Sequence, residues 1–124
     1  MTTEKKCILL IDDDETVLAY LVPKLSKLYE VVSTSDPRKA AALARTQLPD
    51  VILCDIDMPG MSGGDVANEL GNDSLTARIP FLYLTDLVSP EEARDLDGHV
   101  GGKPGIAKRA PMAELVRRIE EMAG

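Results

Sequence analysis

Val51-Ile52-Leu53-Cys54 is an apolar run with no polar alternation, and it ends in a carboxylate, Asp55. A short run of this kind is a strand buried on both faces, which points to the middle of a parallel sheet covered by helices. Open α/β sheets place their ligand-binding groups at the carboxyl ends of such strands, and Asp55 stands at one. Met58-Pro59-Gly60 and Ser62-Gly63-Gly64 follow as turn chemistry, so the carboxylate faces a loop rather than a core. Taken alone, Asp55 merely ends a strand, as acidic residues often do. The rest of the chain gives it company.

Lys6 to Ile11 reads as another buried strand, followed at once by Asp12-Asp13-Asp14. Adjacent acids at a strand end serve as a helix cap or as a cation site. Asp14 suits the cap, because Val17, Leu18, Leu21, Val22, Leu25 and Leu28 follow at helical spacing, and Pro23 within that pattern predicts a bend. Glu30 to Thr34 is a second strand, and Asp36-Pro37 opens a helix that stops before Pro49. Asp65 to Leu70 form a short helix ending at Gly71, and Asn72 to Arg78 a polar loop. Pro80 to Leu84 are a fourth strand with Thr85 and Asp86 at its carboxyl end. Ser89-Pro90-Glu91-Glu92 is a capping box that starts a helix ending near Asp97. Gly98 to Gly105 read as a glycine-rich loop and Ile106-Ala107-Lys108 as a very short fifth strand. Pro111 then begins a last helix with Leu115, Val116, Ile119 and Met122 on its inner face.

This alternation predicts an α/β fold: a five-stranded parallel sheet, doubly wound as (βα)5 in the flavodoxin-like strand order 2-1-3-4-5. That order sets the first and third strands side by side. It brings Asp12, Asp13 and Asp55 to one crevice, with Thr85 and Lys108 arriving from neighbouring strand ends. Carboxylates gathered there cannot all stay ionised without a counter-charge. A divalent cation supplies one, and all-oxygen ligands suit Mg2+, which also accepts phosphate oxygens. A lysine adds a fixed positive charge, and a threonine hydroxyl adds a donor for an oxyanion. Carboxylate, magnesium, lysine and hydroxyl are the parts needed to accept a phosphoryl group.

Composition narrows the remaining choices. The 124 residues suffice for one domain, 1–124, and the net charge of −7 offers nucleic acid no basic face. No apolar run approaches a membrane helix, and Cys7 to Ile11 is too short for a signal peptide, so a cytoplasmic protein without membrane insertion is expected. Cys7 and Cys54, both in strands, read as free buried thiols. His99 has no companion ligand nearby for a metal. Gly101-Gly102-Lys103 fails as a nucleotide phosphate loop, because Asp97 and Pro104 occupy the positions that need glycine and a hydroxyl residue.

The residues singled out so far are similar to those of a known family. Asp12-Asp13 after the first strand, Asp55 with Met58-Pro59 and Gly63 behind it, Thr85 after the fourth strand and a lysine after the fifth resemble the receiver domain of two-component response regulators. The resemblance spans essentially the whole chain and is to the single-domain, chemotaxis-regulator-like kind. It implies that Asp55 is the phosphoryl acceptor, that Asp13 and Asp55 bind Mg2+ directly, and that Asp12 does so mainly through water and Asp57 through its backbone carbonyl. It also implies that the Thr85 hydroxyl moves onto the phosphoryl group, while the site lysine pairs first with Asp55 and then with a phosphoryl oxygen. The donor it implies is a histidine kinase or a histidine phosphotransfer protein. The face of the fourth helix, fifth strand and fifth helix would then switch for a downstream protein target. Such a domain accepts phosphate and at most dephosphorylates itself slowly; it is not expected to be an enzyme.

The chain departs from the family's pattern at three places. Lys103-Pro104 has the family's Lys-Pro pair but falls early, whereas Lys108 has the right distance to Leu115 and Ile119. Lys108 is therefore the expected site lysine, with Arg109 where proline is usual. Asp86 follows Thr85 in place of a small residue; pointing inward, its charge would slow phosphorylation. Gly105 and Ile106 occupy the places of the family's switch aromatic. Two other functions fit parts of the pattern. One is a pseudo-receiver that binds a partner without phosphate. The other is a phosphatase of the haloacid-dehalogenase type, whose Asp-x-Asp motif Asp55-Ile56-Asp57 resembles, although that motif normally follows a first strand.

Overall fold

Short apolar strands and amphipathic helices alternate along the computed structural model, which describes residues 5–85, 99–100 and 103–124. In chain order they are β1 (Cys7–Ile11), α1 (Glu15–Leu25), β2 (Glu30–Thr34), a 3-10 turn (Pro37–Lys39), α2 (Ala40–Gln47), β3 (Val51–Asp55) and α3 (Gly63–Gly71). Then come β4 (Phe81–Thr85), β5 (His99–Val100), β6 (Lys103–Ala107) and α4 (Met112–Ala123). The expected helix from Ser89 to Asp97 lies outside the described residues, as does Asp86.

The parallel strands lie in the order β2-β1-β3-β4-β6, so the expected order 2-1-3-4-5 holds with β6 as the fifth strand. The region before it differs from expectation. Lys103 to Gly105 belong to β6 rather than to a loop, and the two-residue β5 pairs antiparallel with them. Lys103-Pro104-Gly105 carries turn residues, yet pairing of Gly105, Ile106 and Ala107 with Tyr83, Leu84 and Thr85 holds the backbone extended. Tertiary pairing overrides local propensity here. Pro104 stands opposite His99 of the two-residue β5, and the ladder with β4 begins only at Gly105.

Alternation along the strands sorts the core into two layers. Ile8, Leu10, Val51, Leu53, Leu82, Leu84 and Ile106 pack against Leu21 and Leu25 of α1 and Leu115 and Ile119 of α4. Leu9, Ile11, Ile52 and Cys54 pack on the other face against Ala40, Ala41 and Ala44 of α2 and Val66 and Leu70 of α3. Leu53, fully buried in the central strand, contributes roughly 2–3 kcal/mol by its burial. Asp12 and Asp55 continue the parity of the α1/α4 layer one step beyond the core, which is why both emerge on the same side of the strand ends.

Several local expectations hold and others move. The Asp14 side chain caps α1 by accepting from the Thr16 amide, and α1 runs through Pro23 to Leu25. Pro23 forfeits its own bond to the preceding turn, but it lies close to the end of the helix, so little of α1 follows the interruption. Pro37 opens a 3-10 turn before α2 rather than the α-helix itself. Helix α3 starts at Gly63, earlier than the expected Asp65, because Ser62 and Asp65 form a reciprocal capping box. Cys54 is buried and free as expected, whereas Cys7, the first residue of β1, is free but only half-buried.

Leu48 ends α2 in the left-handed conformation, φ 44° and ψ 61°, with its side chain exposed. A Cβ in that conformation costs about 1–2 kcal/mol. Glycine at this C-cap removes the clash but loses more chain entropy on folding. Leu48→Gly is therefore expected to stabilise the protein by about 0.5–1 kcal/mol. Leu48→Ala keeps the Cβ and should show no such gain. Thermal melts of the two variants side by side decide the point.

Candidate functional site

Strand registers assemble the site. Ile11 lies opposite Cys54, so the next residues, Asp12 and Asp55, come side by side. Thr85 lies opposite Ala107, so Lys108 arrives one step beyond, and its amide donates to the Thr85 carbonyl at 2.8 Å. The carboxylates of Asp12, Asp13 and Asp55 gather with one oxygen from each within 4.8 Å of the others. Asp12 is fully buried, Asp55 is 5% exposed and Asp13 is half-buried.

The run of three acids divides its work. Asp14 caps the helix, while Asp12 Oδ1 accepts the Asp14 amide at 2.9 Å, which orients the Asp12 carboxylate inward. Lys108 Nζ lies 2.9 Å from Asp12 Oδ2 and 3.2 Å from Asp55 Oδ1, joining the two buried carboxylates. Apart from that ion contact, Asp12 Oδ2 accepts no hydrogen bond. Lys108 thus reaches the crevice from the end of β6; the Lys103 side chain lies outside the described residues. Thr85 closes β4 and is buried at the same rim. Asp57 sits in the loop after β3 with its side chain exposed, apart from the three gathered carboxylates.

The electrostatics follow from this crowding. Burial, with the Asp12 charge adding to it, pushes the Asp55 carboxyl up to about 6, against the opposing pull of Lys108. Burial alone would lower the Lys108 ammonium, but Asp12 and Asp55 outweigh it and hold the lysine above its ordinary value. Burial, then the neighbouring Asp55 charge, pushes the Cys54 thiol far up, so the nearby sulfur is inert as a nucleophile. All the donors at the crevice are oxygens, and the site holds more negative than positive charge. That donor set fits a hard divalent cation such as Mg2+.

The loop after β3 shapes the approach. Pro59-Gly60 turns the chain, with Gly60 at φ 79°, and Met58 tucks under it as a buried residue of the α2/α3 layer. Gly63 has a role that its sequence context alone did not disclose. A Cβ built there would lie 2.2 Å from the Asp55 carbonyl oxygen, and the Gly63 amide donates to the Ile56 carbonyl at 2.7 Å. The glycine therefore lets the start of α3 press against the backbone of the acidic strand end. The usable sequence signal was the capping pair Ser62 and Asp65, which places Gly63 at the first turn of a helix.

Residues 8–120 match the response regulator receiver domain family. The chain belongs to that family. Among its relatives is the phosphate regulon transcriptional regulatory protein PhoB of Pseudomonas aeruginosa, 33% identical over 117 residues, or 93% of this chain and 50% of that protein. The response regulator PleD of Caulobacter vibrioides is 42% identical over 81 residues, 64% of this chain and 18% of PleD. The chain thus spans half or less of these relatives' lengths. Among solved structures, the receiver domain of a sensor histidine kinase of Pseudomonas aeruginosa superposes with a TM-score of 0.80 at 26% identity, covering 97% of this chain and 98% of that one. That receiver carries a magnesium ion coordinated in its active-site cleft. Receiver domains are signalling modules of two-component systems, and the acidic cluster of this receiver lies at the strand ends where the fold places its ligands. Among the described residues, no helix is long and apolar enough to cross a membrane.

Proposed function

We propose that this receiver accepts a phosphoryl group on Asp55 from a phosphohistidine of a histidine kinase or histidine phosphotransfer protein. The observation that carries the reading is the Asp12, Asp13 and Asp55 cluster with Lys108 bridging two of its members at 2.9 and 3.2 Å. An Asp55 carboxylate oxygen attacks phosphorus while the P–N bond to the donor imidazole breaks. The electron pair leaves with the imidazole nitrogen, which takes up a proton, and the product is an acyl phosphate. Asp12, Asp13 and Asp55, with the Asp57 carbonyl, are the residues that would hold Mg2+. Bound there, the ion supplies charge neutralisation between the carboxylates and the phosphoryl oxygens. Lys108 is placed to exchange its contact with Asp55 for one with a phosphoryl oxygen. The Thr85 hydroxyl is the group proposed to follow the phosphoryl group and carry the change to the face built from β6 and α4, where a downstream protein docks. A cytoplasmic location suits a donor of that kind.

The test is intact mass after incubation with acetyl phosphate, with and without magnesium, on the native chain and on Asp55→Asn. A phosphoryl adduct that requires magnesium and vanishes in Asp55→Asn is the expected result. An adduct that survives in Asp55→Asn would refute Asp55 as the acceptor. Failure of the native chain to be labelled by acetyl phosphate and by a phosphorylated histidine phosphotransfer protein would favour the pseudo-receiver reading.

A further inference from the structure

Helix α4 is held unevenly along its length. Near its carboxyl end the Tyr29 hydroxyl donates to Glu120 Oε2 at 2.7 Å, and Lys6 Nζ donates to the Ala123 carbonyl at 2.9 Å. Arg118 Nη1 donates to the Gly105 carbonyl at 3.3 Å. These bonds tie the second half of the helix to the residue before β2, the residue before β1, and β6. Tyr29 and Ile119 are both buried in the α1/α4 layer. The amino end is held differently. Pro111, at the N-cap, makes no side-chain capping bond. Leu115 fastens the following turn by apolar packing. Apolar contact is non-directional and tolerates tilt, whereas a hydrogen bond fixes both distance and angle. Helix ends ordinarily fray, so the bonds on the last turn make that end the steadier one.

The looser end is the one joined to the carboxylate site. Lys108 stands three residues before Pro111. Its ammonium holds Asp12 and Asp55, its amide donates to the Thr85 carbonyl, and the Ala110 amide closes the turn onto the Ala107 carbonyl at 3.0 Å. Gly105 has no side chain and Ile106 is buried in the core, so neither gives β6 a polar or aromatic group that could follow Thr85. Among the described residues, the direct path from the site to α4 runs through Lys108. We propose that α4 is a lever, pinned at its carboxyl end by Tyr29 and Lys6 and steered at its amino end by Lys108. When Lys108 exchanges Asp55 for a phosphoryl oxygen, the turn 108–111 and the first turn of α4 shift while the last turn stays in place. The movement rests on Asp55 as the phosphoryl acceptor; the pinning does not.

Amide hydrogen exchange of the whole chain, followed by NMR, tests both parts. Tyr29→Phe removes the bond to Glu120 and should speed exchange at residues 120–123 about tenfold, while 114–116 change by less than about twofold. Lys108→Gln should do the opposite in the absence of any phosphate, loosening 114–116 and sparing 120–123. Where Lys108→Gln unfolds, Asp55→Asn removes one of the lysine's two partners and carries the same comparison. Treatment of the native chain with acetyl phosphate and magnesium should change exchange at 114–116 at least about threefold and leave 120–123 as they were, with intact mass of the same sample reporting the adduct. An adduct accompanied by equal change at both ends would overturn the proposal. So would a Tyr29→Phe chain that exchanges at 120–123 as the native chain does. No adduct, with the pattern in the variants intact, would count against phosphoryl acceptance at Asp55 and uphold the pinning and the steering.

Discussion

Gly63→Ala is expected to destabilise the protein by about 3 kcal/mol or more, among the largest effects a single methyl group has. The added Cβ would sit 2.2 Å from the Asp55 carbonyl oxygen, 3.0 Å from the Ile56 Cα and 3.1 Å from the Asp55 carbonyl carbon. All of these are backbone atoms, so no side chain can swing away to make room. Either α3 retreats and loses the 2.7 Å bond from the Gly63 amide to Ile56, or the end of β3 moves. Movement of β3 displaces Asp55, so the magnesium-dependent phosphoryl adduct should weaken together with stability. Gly64→Ala is the control. Its methyl has room, and alanine favours a helix over glycine by roughly 1 kcal/mol, so it should melt at or above the native temperature. Gly63→Ala melting within about 1 kcal/mol of the native protein would show that the contact is not rigid.

In magnesium-free buffer at neutral pH, substitutions in the acidic cluster should act in opposite directions. Lys108→Met leaves Asp12, fully buried, without its ion partner and should cost roughly 3–5 kcal/mol, as breaking a buried pair does. Asp55→Asn removes a charge that burial and Asp12 already disfavour, and should stabilise by about 1–2 kcal/mol. The sign with pH follows from the raised carboxyl. Folded Asp55 holds its proton up to about 6, whereas the ordinary value is 3.8, so the folded state binds more protons in that window. Stability from this group is therefore highest at low pH and falls as pH rises from about 4 through 6. The stability difference between the native chain and Asp55→Asn, measured by urea melts at several pH values, should grow across that window and then level off. Added magnesium should raise the stability of the native chain and do little for Asp55→Asn, since a cation that binds only the folded state stabilises it by mass action. A native chain more stable at pH 7 than Asp55→Asn without magnesium would contradict this account.

Much of the protein was legible as sequence because its signals are local. Unbroken apolar runs such as Val51 to Cys54 mark strands buried on both faces, and their alternation with helical patterns predicts a doubly wound parallel sheet. The strand order then brings Asp12, Asp13 and Asp55 to one crevice, because carboxyl ends of adjacent parallel strands share a side of the sheet. What needed the tertiary structure was everything set by pairing and contact. Lys103-Pro104-Gly105 reads as loop in isolation and is strand because β5 pairs with Lys103 and Pro104 and β4 with Gly105. Lys108 and Lys103 differ in sequence only by spacing, while β6 pairing carries Lys108 to Asp12 and Asp55. Gly63 reads as turn chemistry, and only the approach of its backbone to the Asp55 carbonyl shows why no side chain fits. Periodicity says which face of a strand is buried, whereas the packing of α3 against the end of β3 decides how closely the two backbones approach.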